Sequence, residues 1–160
     1  MNSKHPLLGK FDEDPGRWRP YWYGLKIDVP AQLDGRGAGS INLNNQPFIM
    51  TRMTHQIQGC TDPDIDNGLY QDGQYDIAWK DEQSNYQNGP LPAECFMGSV
   101  RSGFSYEFPY PIPYSGNKTL TFEIFNRCAR IITGSDPIPY FKVAIVIHGI
   151  ADWGTVLPIR

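Results

Sequence analysis

The chain alternates apolar and polar residues in several short stretches, which is the pattern of half-buried β-strands. In residues 23–29, "YGLKIDV", every second side chain is apolar and the ones between are polar or glycine. The same alternation occurs in residues 75–80, "YDIAWK", and in residues 119–126, "TLTFEIFN". We predict a strand in each of these segments.

Two longer apolar stretches predict strands in different positions. Residues 140–150, "YFKVAIVIHGI", are apolar on one alternating row and half apolar on the other. This favours a central strand that is buried on both faces. Residues 48–58, "FIMTRMTHQIQ", carry polar side chains in both rows, so we predict a strand at a sheet edge or an interface.

Proline and glycine mark the connections between these strands. The chain has 16 glycines and 14 prolines, which is typical of short strands joined by many turns. Pro109, Pro111 and Pro113 cannot donate hydrogen bonds to a neighbouring strand, so we interpret them as a stiff corner that ends pairing. No amphipathic helix and no internal repeat is evident. The pattern predicts an all-β protein, an antiparallel β-sandwich with a single jelly roll.

Three regions follow from this pattern. Residues 1–20 are polar, charged and broken by prolines, which predicts an extended N-terminal arm. Residues 21–152 form the predicted jelly-roll domain. Residues 153–160 form a short C-terminal tail that is apolar enough to pack against another surface.

Composition excludes several classes of function. The 160 residues carry 14 basic and 17 acidic side chains, a net charge of -3, which argues against a nucleic-acid partner. The sequence shows no secretion signal and no apolar run of about 18 residues, so we expect no membrane partner and synthesis in a cytoplasm. The widely spaced Cys60, Cys95 and Cys128 indicate reduced thiols.

One acidic segment has part of a metal-binding pattern. Asp62, Asp64 and Asp66 alternate as they do in a calcium-binding loop. The required glycine comes one residue late, at Gly68, and Gly73 occupies the position of the terminal glutamate. We therefore predict no metal and no cofactor, and the calcium loop stays as the alternative.

The last third of the sequence resembles a known family. The proline-rich stretch at residues 109–113, the strand "LTFEIFN" at residues 120–126 and the strand at residues 141–149 with its aliphatic–His–Gly step occur in this order. This order resembles the closing strands of small jelly-roll proteins that decorate the capsids of tailed bacteriophages.

The resemblance implies a function without catalysis. Capsid decoration proteins, also called cement proteins, lie on the outer capsid surface of the virion and bridge neighbouring major capsid subunits. The resemblance implies the major capsid protein as a partner, and a second or third copy of this chain in a homodimer or homotrimer. It implies no enzyme activity and assembly from protein made in the host cytoplasm.

Aromatic and basic residues near both ends of the chain are the candidate contacts with the capsid or with another subunit. Trp18 lies between two arginines in the predicted arm, where it either anchors a partner or packs against its own domain. The candidate interface residues are Arg17, Trp18, Arg19, Tyr21, Trp22, Trp153 and Leu157.

Two other functions fit the sequence less well. A receptor- or glycan-binding component of a phage tail or fibre would need an exposed cleft of aromatic and carboxylate side chains. An enzyme would need carboxylates or a Cys–His pair that converge in a pocket. The candidates for an enzyme are Glu94, Glu107, Glu123 and Cys95.

Overall fold

A computed structural model describes residues 5–30, 32–60, 75–82, 84–99, 107–127 and 140–154. One α-helix, α1, and two short 3-10 helices, Pro15–Arg17 and Ala93–Cys95, occur in these segments. The described strands are β1 (Trp18–Pro30), β2 (Arg36–Asn42), β3 (Phe48–Cys60), β4 (Tyr75–Lys80), β5 (Leu91–Pro92), β6 (Gly98–Ser99), β7 (Glu107–Tyr114), β8 (Thr119–Asn126) and β9 (Tyr140–Asp152). Helix α1 spans Pro6–Glu13 and is too short to cross a membrane.

The strands form two sheets that pack face to face. The first sheet has the order β1-β9-β3-β6, and β7 pairs with the same edge of β3 as β6 does. The second sheet has the order β2-β8-β4-β5. Pairing is antiparallel except for the two-residue contact of β3 with β6. The predicted all-β antiparallel sandwich is confirmed.

The core lies between the two sheets and follows the alternation of the sequence. From the first sheet, Phe141, Val143, Ile145 and Ile147 of β9 are fully buried. From the second sheet, the buried apolar row of β8 faces them, and it consists of Leu120, Phe122 and Ile124. Burial of one such side chain contributes about 1.5–3 kcal/mol to the free energy of unfolding. These two strands therefore supply much of the stability of the sandwich.

The central position predicted for β9 is confirmed. Of the two positions predicted for β3, the sheet edge is wrong, and the interface stays a prediction. Strand β3 pairs with β9 on one side and with β6 and β7 on the other. Its polar side chains have partners inside the protein. Thr54 Oγ1 lies 2.9 Å from His148 Nε2, and His55 Nδ1 lies 2.5 Å from the Tyr75 hydroxyl. The polar residues Thr54 and His55 of β3 are therefore explained by side-chain contacts within the protein.

The prolines that we interpreted as the end of pairing belong to a paired edge strand. In β7, Ile112 lies opposite Met50 and Pro113 lies opposite Ile49. Successive backbone N–H groups of a strand point to opposite edges, so prolines at every second position all lack the N–H on the same side. Pro109, Pro111 and Pro113 thus leave one edge of β7 able to pair and block the other.

The N-terminal region is not an extended arm. Helix α1 begins with Pro6, and the imidazole Nδ1 of His5 accepts a hydrogen bond from the Leu7 N–H at 3.2 Å. Leu7 is buried, and the ring of Phe11 contacts Trp18. An eight-residue helix is unstable alone and has too few turns for a clear amphipathic pattern, so it depends on this packing. The β-domain also begins before residue 21, because β1 starts at Trp18.

Candidate functional site

The start of β1 and the end of β9 bring most of the candidate interface residues together. Trp18 pairs with Asp152, Tyr21 with Gly149 and Trp22 with His148. Residues from the two ends of the sequence therefore meet at one end of the first sheet. Because successive side chains of a strand point to opposite faces, Trp22 lies on the outer face of this sheet and Tyr21 on the core side. We call this end of the sheet, with both of its faces, the terminal surface, and its members are Arg17, Arg19, Tyr21, Trp22 and Trp153. Leu157 lies outside the described residues.

A bidentate ion pair between Arg17 and Asp152 stabilises the terminal surface. Arg17 Nε donates to Asp152 Oδ1 at 2.6 Å, and Arg17 Nη2 donates to Asp152 Oδ2. The backbone N–H of Trp153 donates to the carbonyl of Arg17 at 3.1 Å. Because the Asp152 side chain is only 6% exposed, this ion pair is shielded from solvent on the carboxylate side. Residues flanking the pair therefore have fixed positions.

The protonation of Asp152 depends on this contact. Burial raises the pKa of the Asp152 carboxyl. The hydrogen bonds from Arg17 and from the Gly154 N–H, together with the charge of Arg17, lower the pKa and outweigh burial. The pKa of Asp152 therefore lies below its ordinary value, and the carboxylate stays ionised at neutral pH.

Trp18 does not fit the prediction of a partner anchor. It is only 6% exposed, and its ring packs against Phe11 of α1 in an edge-to-face arrangement with 6.0 Å between ring centroids. The alternative, in which Trp18 packs against its own domain, is what the structure shows. Helix α1 therefore covers Trp18 and removes it from the exposed surface.

Two tryptophans of the terminal surface remain exposed. Trp22 is 60% exposed and Trp153 is 42% exposed. The ring of Trp153 lies 5.9 Å from that of Tyr21, whose hydroxyl accepts a hydrogen bond from Asn44 Nδ2 at 3.1 Å. Arg19 is exposed as well. Exposed indoles on a rigid frame are typical of protein contacts.

Sequence patterns did not indicate the residues that lie next to Trp22 on the outer face of the first sheet. Cross-strand pairing aligns Trp22, His148, Arg52 and Glu107 on four neighbouring strands. Burial and the charge of Arg52 lower the pKa of His148, so its imidazole is neutral at neutral pH. Only strand register shows this row, because its members are far apart in sequence.

A polar cleft lies on the outer face of the second sheet. Its volume is 210 Å³, and we call it the amide cleft. Its floor includes Thr121 and Glu123 of β8, and Lys80 Nζ lies 3.5 Å from Glu123 Oε1. The polar residues that line it are Lys80, Asn85, Gln87, Asn88, Thr121 and Glu123.

The wall of the amide cleft is held by contacts to β4. The Tyr86 ring stacks on Trp79 with 4.1 Å between centroids, and the Tyr86 hydroxyl donates to Asp81 Oδ2 at 2.7 Å. Gln87 Oε1 accepts the Trp79 N–H at 3.1 Å. This bond fixes the orientation of the amide and leaves Gln87 Nε2 buried, without a hydrogen-bond partner among the described residues. The wall of the cleft therefore contains a buried amide group whose orientation is fixed by the Trp79 N–H.

The candidate catalytic residues are not gathered into one site. Glu107 belongs to the first sheet and Glu123 to the outer face of the second sheet. Cys95 is exposed in its 3-10 helix, whereas His55 is buried in the core. The Glu94 side chain lies outside the described part of the structure. These positions give no observed carboxylate pair and no observed Cys–His pair.

The metal prediction is tested only in part. Among the described residues, no group of three or more His, Cys, Asp or Glu side chains is placed to hold a metal ion. Asp62, Asp64 and Asp66 lie outside the described residues. The absence of a metal and the alternative calcium loop both remain predictions.

Comparison with known proteins gives no relative. The chain matches no protein-family model, no curated protein and no solved structure. The resemblance to capsid decoration proteins therefore remains a prediction from the sequence pattern.

The Arg17–Asp152 ion pair makes stability depend on pH. A carboxyl with a lowered folded pKa stabilises the fold fully above its unfolded pKa of about 3.9, and this contribution is lost as pH falls through the folded pKa. We expect Asp152→Asn to lower the melting temperature at pH 7. On acidification, the melting temperature of this variant should fall less than that of the wild type. Thermal melts between neutral and strongly acidic pH measure this.

The control for this prediction is Asp28→Asn. Asp28 is an exposed carboxylate of β1 that lies 3.9 Å from Lys142. Exposed ion pairs contribute little to stability, so this variant should melt like the wild type at each pH. Equal melting of Asp152→Asn and the wild type at pH 7 would show that the terminal ion pair does not stabilise the fold.

Proposed function

We propose that the protein is a capsid decoration protein on the outer surface of a tailed-phage virion. In this proposal it bridges neighbouring major capsid subunits and stabilises the shell, and it is not an enzyme. The observation that carries the proposal is the exposure of two tryptophans at this end of the first sheet, Trp22 on the outer face and Trp153 against Tyr21. The sequence resemblance supplies the identity of the partner.

The strand order supports the finer assignment to a single jelly roll. The chain moves from the first sheet to the second and back between β1, β2, β3 and β4. It returns to the first sheet at β6 and β7, enters the second at β8 and ends in the first at β9. The segments that carry the family resemblance are β7, β8 and β9, which lie on both sheets.

A rigid aromatic surface suits a protein that binds a repeating shell. Tryptophans at the centre of an interface contribute a large share of binding energy, because they bury much area and lose little side-chain freedom. The contacts of Arg17 with Asp152 and of Asn44 with Tyr21 hold this surface before binding. A dimer or trimer would present several copies to the symmetric capsid and increase avidity without new contacts.

Removal of the exposed tryptophans should weaken binding to the shell. We expect Trp22→Ser and Trp153→Ser each to lower affinity for particles that lack this chain by about thirtyfold, the effect of losing about 2 kcal/mol. Co-sedimentation of the purified variants with such particles measures the affinity.

Leu33→Ser is the matched control for both tryptophan variants. Leu33 is 53% exposed and follows the opposite end of β1, away from the terminal surface. It should bind like the wild type. If both tryptophan variants also bind like the wild type and melt at the same temperature, the terminal surface does not contact the capsid.

The amide cleft favours a second candidate function, a glycan-binding component of the phage tail or fibre. Asn85 and Asn88 are exposed in the cleft, and each amide carries a donor and an acceptor, which suits ligand hydroxyl groups. Lys80 and Glu123 balance each other in charge, so the cleft fits a neutral hydroxyl-rich ligand better than an anionic one. The volume of 210 Å³ is suited to one sugar unit.

A sugar titration distinguishes this second function. Glucose, galactose and N-acetylglucosamine are added separately to the isotope-labelled protein, and amide shifts are followed by NMR. Under this function, one of these sugars shifts the side-chain amides of Asn85, Gln87 and Asn88. Asn88→Asp keeps the side-chain acceptor and loses the exposed amide donor, so it should lower the affinity for that sugar about tenfold.

The matched control is Asn42→Asp, the same change of amide to carboxylate on the outer face of the second sheet. Asn42 Oδ1 accepts from Thr119 Oγ1 at 3.0 Å, and this contact survives the substitution. The amide shifts of this control on addition of sugar should equal those of the wild type. The absence of saturable shifts in the cleft with all three sugars would exclude this function in the tested form.

A further inference from the structure

The two edges of the first sheet differ in their protection against further pairing. Strand β7, at one edge, has prolines at every second position, which remove the backbone donors from its outward side. Strand β1, at the other edge, is 13 residues long and has prolines only at positions 20 and 30. Among the described residues, β1 pairs only with β9.

An open edge of this length is a site for strand pairing. Its outward N–H and C=O groups match those of any added strand, and native proteins usually block such edges with proline, charge or a covering segment. Between Tyr21 and Ile27, β1 has no proline. Beyond Ile27 the backbone carbonyls of Asp28 and Pro30 lie against Gly37 and Gly35, where an added Cβ would meet them at 2.4 Å and 2.3 Å, so this end of the edge is covered. The edge opposite β7 is therefore the one able to extend the first sheet.

We propose that β1 pairs antiparallel with β1 of a second copy of this chain, about a two-fold axis at Gly24. This proposal names a surface for self-association, and it stands without the proposed role on a capsid. A two-fold axis at Gly24, the midpoint of the uncovered stretch from Tyr21 to Ile27, gives the longest overlap of this stretch with its copy. The pairing joins two five-stranded sheets into one continuous sheet.

The side chains of β1 are complementary in this register. Trp22 lies opposite Lys26 of the partner subunit, so each dimer has two cross-strand pairs of an indole with an ammonium group. Asp28 lies opposite Pro20 of the partner subunit, so no like charges face each other. Trp22, Lys26 and Asp28 are all exposed on the outer face of the monomer.

Neighbouring registers lack this complementarity. With the axis at Tyr23, Trp22 would face Gly24 and Lys26 would face Pro20. With the axis at Leu25, Trp22 would face Asp28, whose carboxylate is repelled by the electron-rich face of the ring. Both registers also shorten the overlap. The axis at Gly24 is therefore favoured by the longer strand overlap and by the charges of the side chains that face each other.

Gly24 offers a direct test of the axis. A Cβ atom added at Gly24 meets no heavy atom within 4 Å, and the residue has an ordinary strand conformation, so a side chain is tolerated in the monomer. In the proposed dimer, the two copies of residue 24 lie directly opposite each other. Directly opposed residues of an antiparallel pair have Cα atoms about 4.5–5.5 Å apart, which is within the Cα separation that a disulfide spans.

The experiment uses the full-length chain with Cys95→Ser, which removes the exposed thiol found in the described part of the chain. Into this background we introduce Gly24→Cys, with Lys26→Cys and Leu33→Cys as controls. After mild oxidation, non-reducing electrophoresis should show nearly all of the Gly24→Cys chain as a dimer. The controls should remain monomeric, because residues 26 and 33 lie far from their own copies in this register. Cross-linking of Gly24→Cys no greater than that of Lys26→Cys would overturn the proposal.

The mass of the unmodified protein gives an independent test that needs no variant. Size-exclusion chromatography with light scattering should give twice the 18.1 kDa mass of one chain. A monomer at the highest soluble concentration would overturn the proposal. A trimer would also overturn it, because a two-fold edge contact closes at two copies.

Discussion

The antiparallel pairing of β1 with β9 is the constraint on which the rest of the structure depends. It runs without a shift from Trp18 and Asp152 to Pro30 and Tyr140. It makes β9 a central strand, so the most apolar segment of the chain lies between β1 and β3 and forms one wall of the core. It also brings Arg17 to Asp152, which fixes the surface where the two ends of the chain meet.

Strand β1 contributes differently through its two faces and its free edge. The inward row, with Tyr23, Ile27 and Val29, belongs to the core. The outward row presents Trp22 beside His148, and the edge is open for a second copy. The second sheet has a separate feature, the amide cleft, which depends on the stacking of Tyr86 on Trp79 and on no residue of β1. The surfaces proposed for contact with a shell and for contact with a sugar are therefore independent of each other.

Local patterns predicted the strands but not their neighbours. Alternation in residues 119–126 and 140–150 was sufficient to predict a strand in each segment, because a period of two residues is a property of the strand alone. The central position of β3 was missed because the partners of Thr54 and His55 are His148 and Tyr75, which are distant in sequence. Likewise, the prolines of β7 and the short helix α1 acquire their roles from β3 and from Trp18. The amide cleft was missed because its wall depends on the orientation of one side chain, Gln87.

The most direct test of the proposed function is the number of copies of this chain in intact particles from its source. Quantitative mass spectrometry of purified particles gives the ratio of this chain to the major shell subunit. A decoration protein predicts a ratio on the order of one copy per few shell subunits, as symmetric assembly requires. A handful of copies per particle would contradict a place across the shell and favour the tail or fibre. Absence from the particles would contradict the virion assignment altogether.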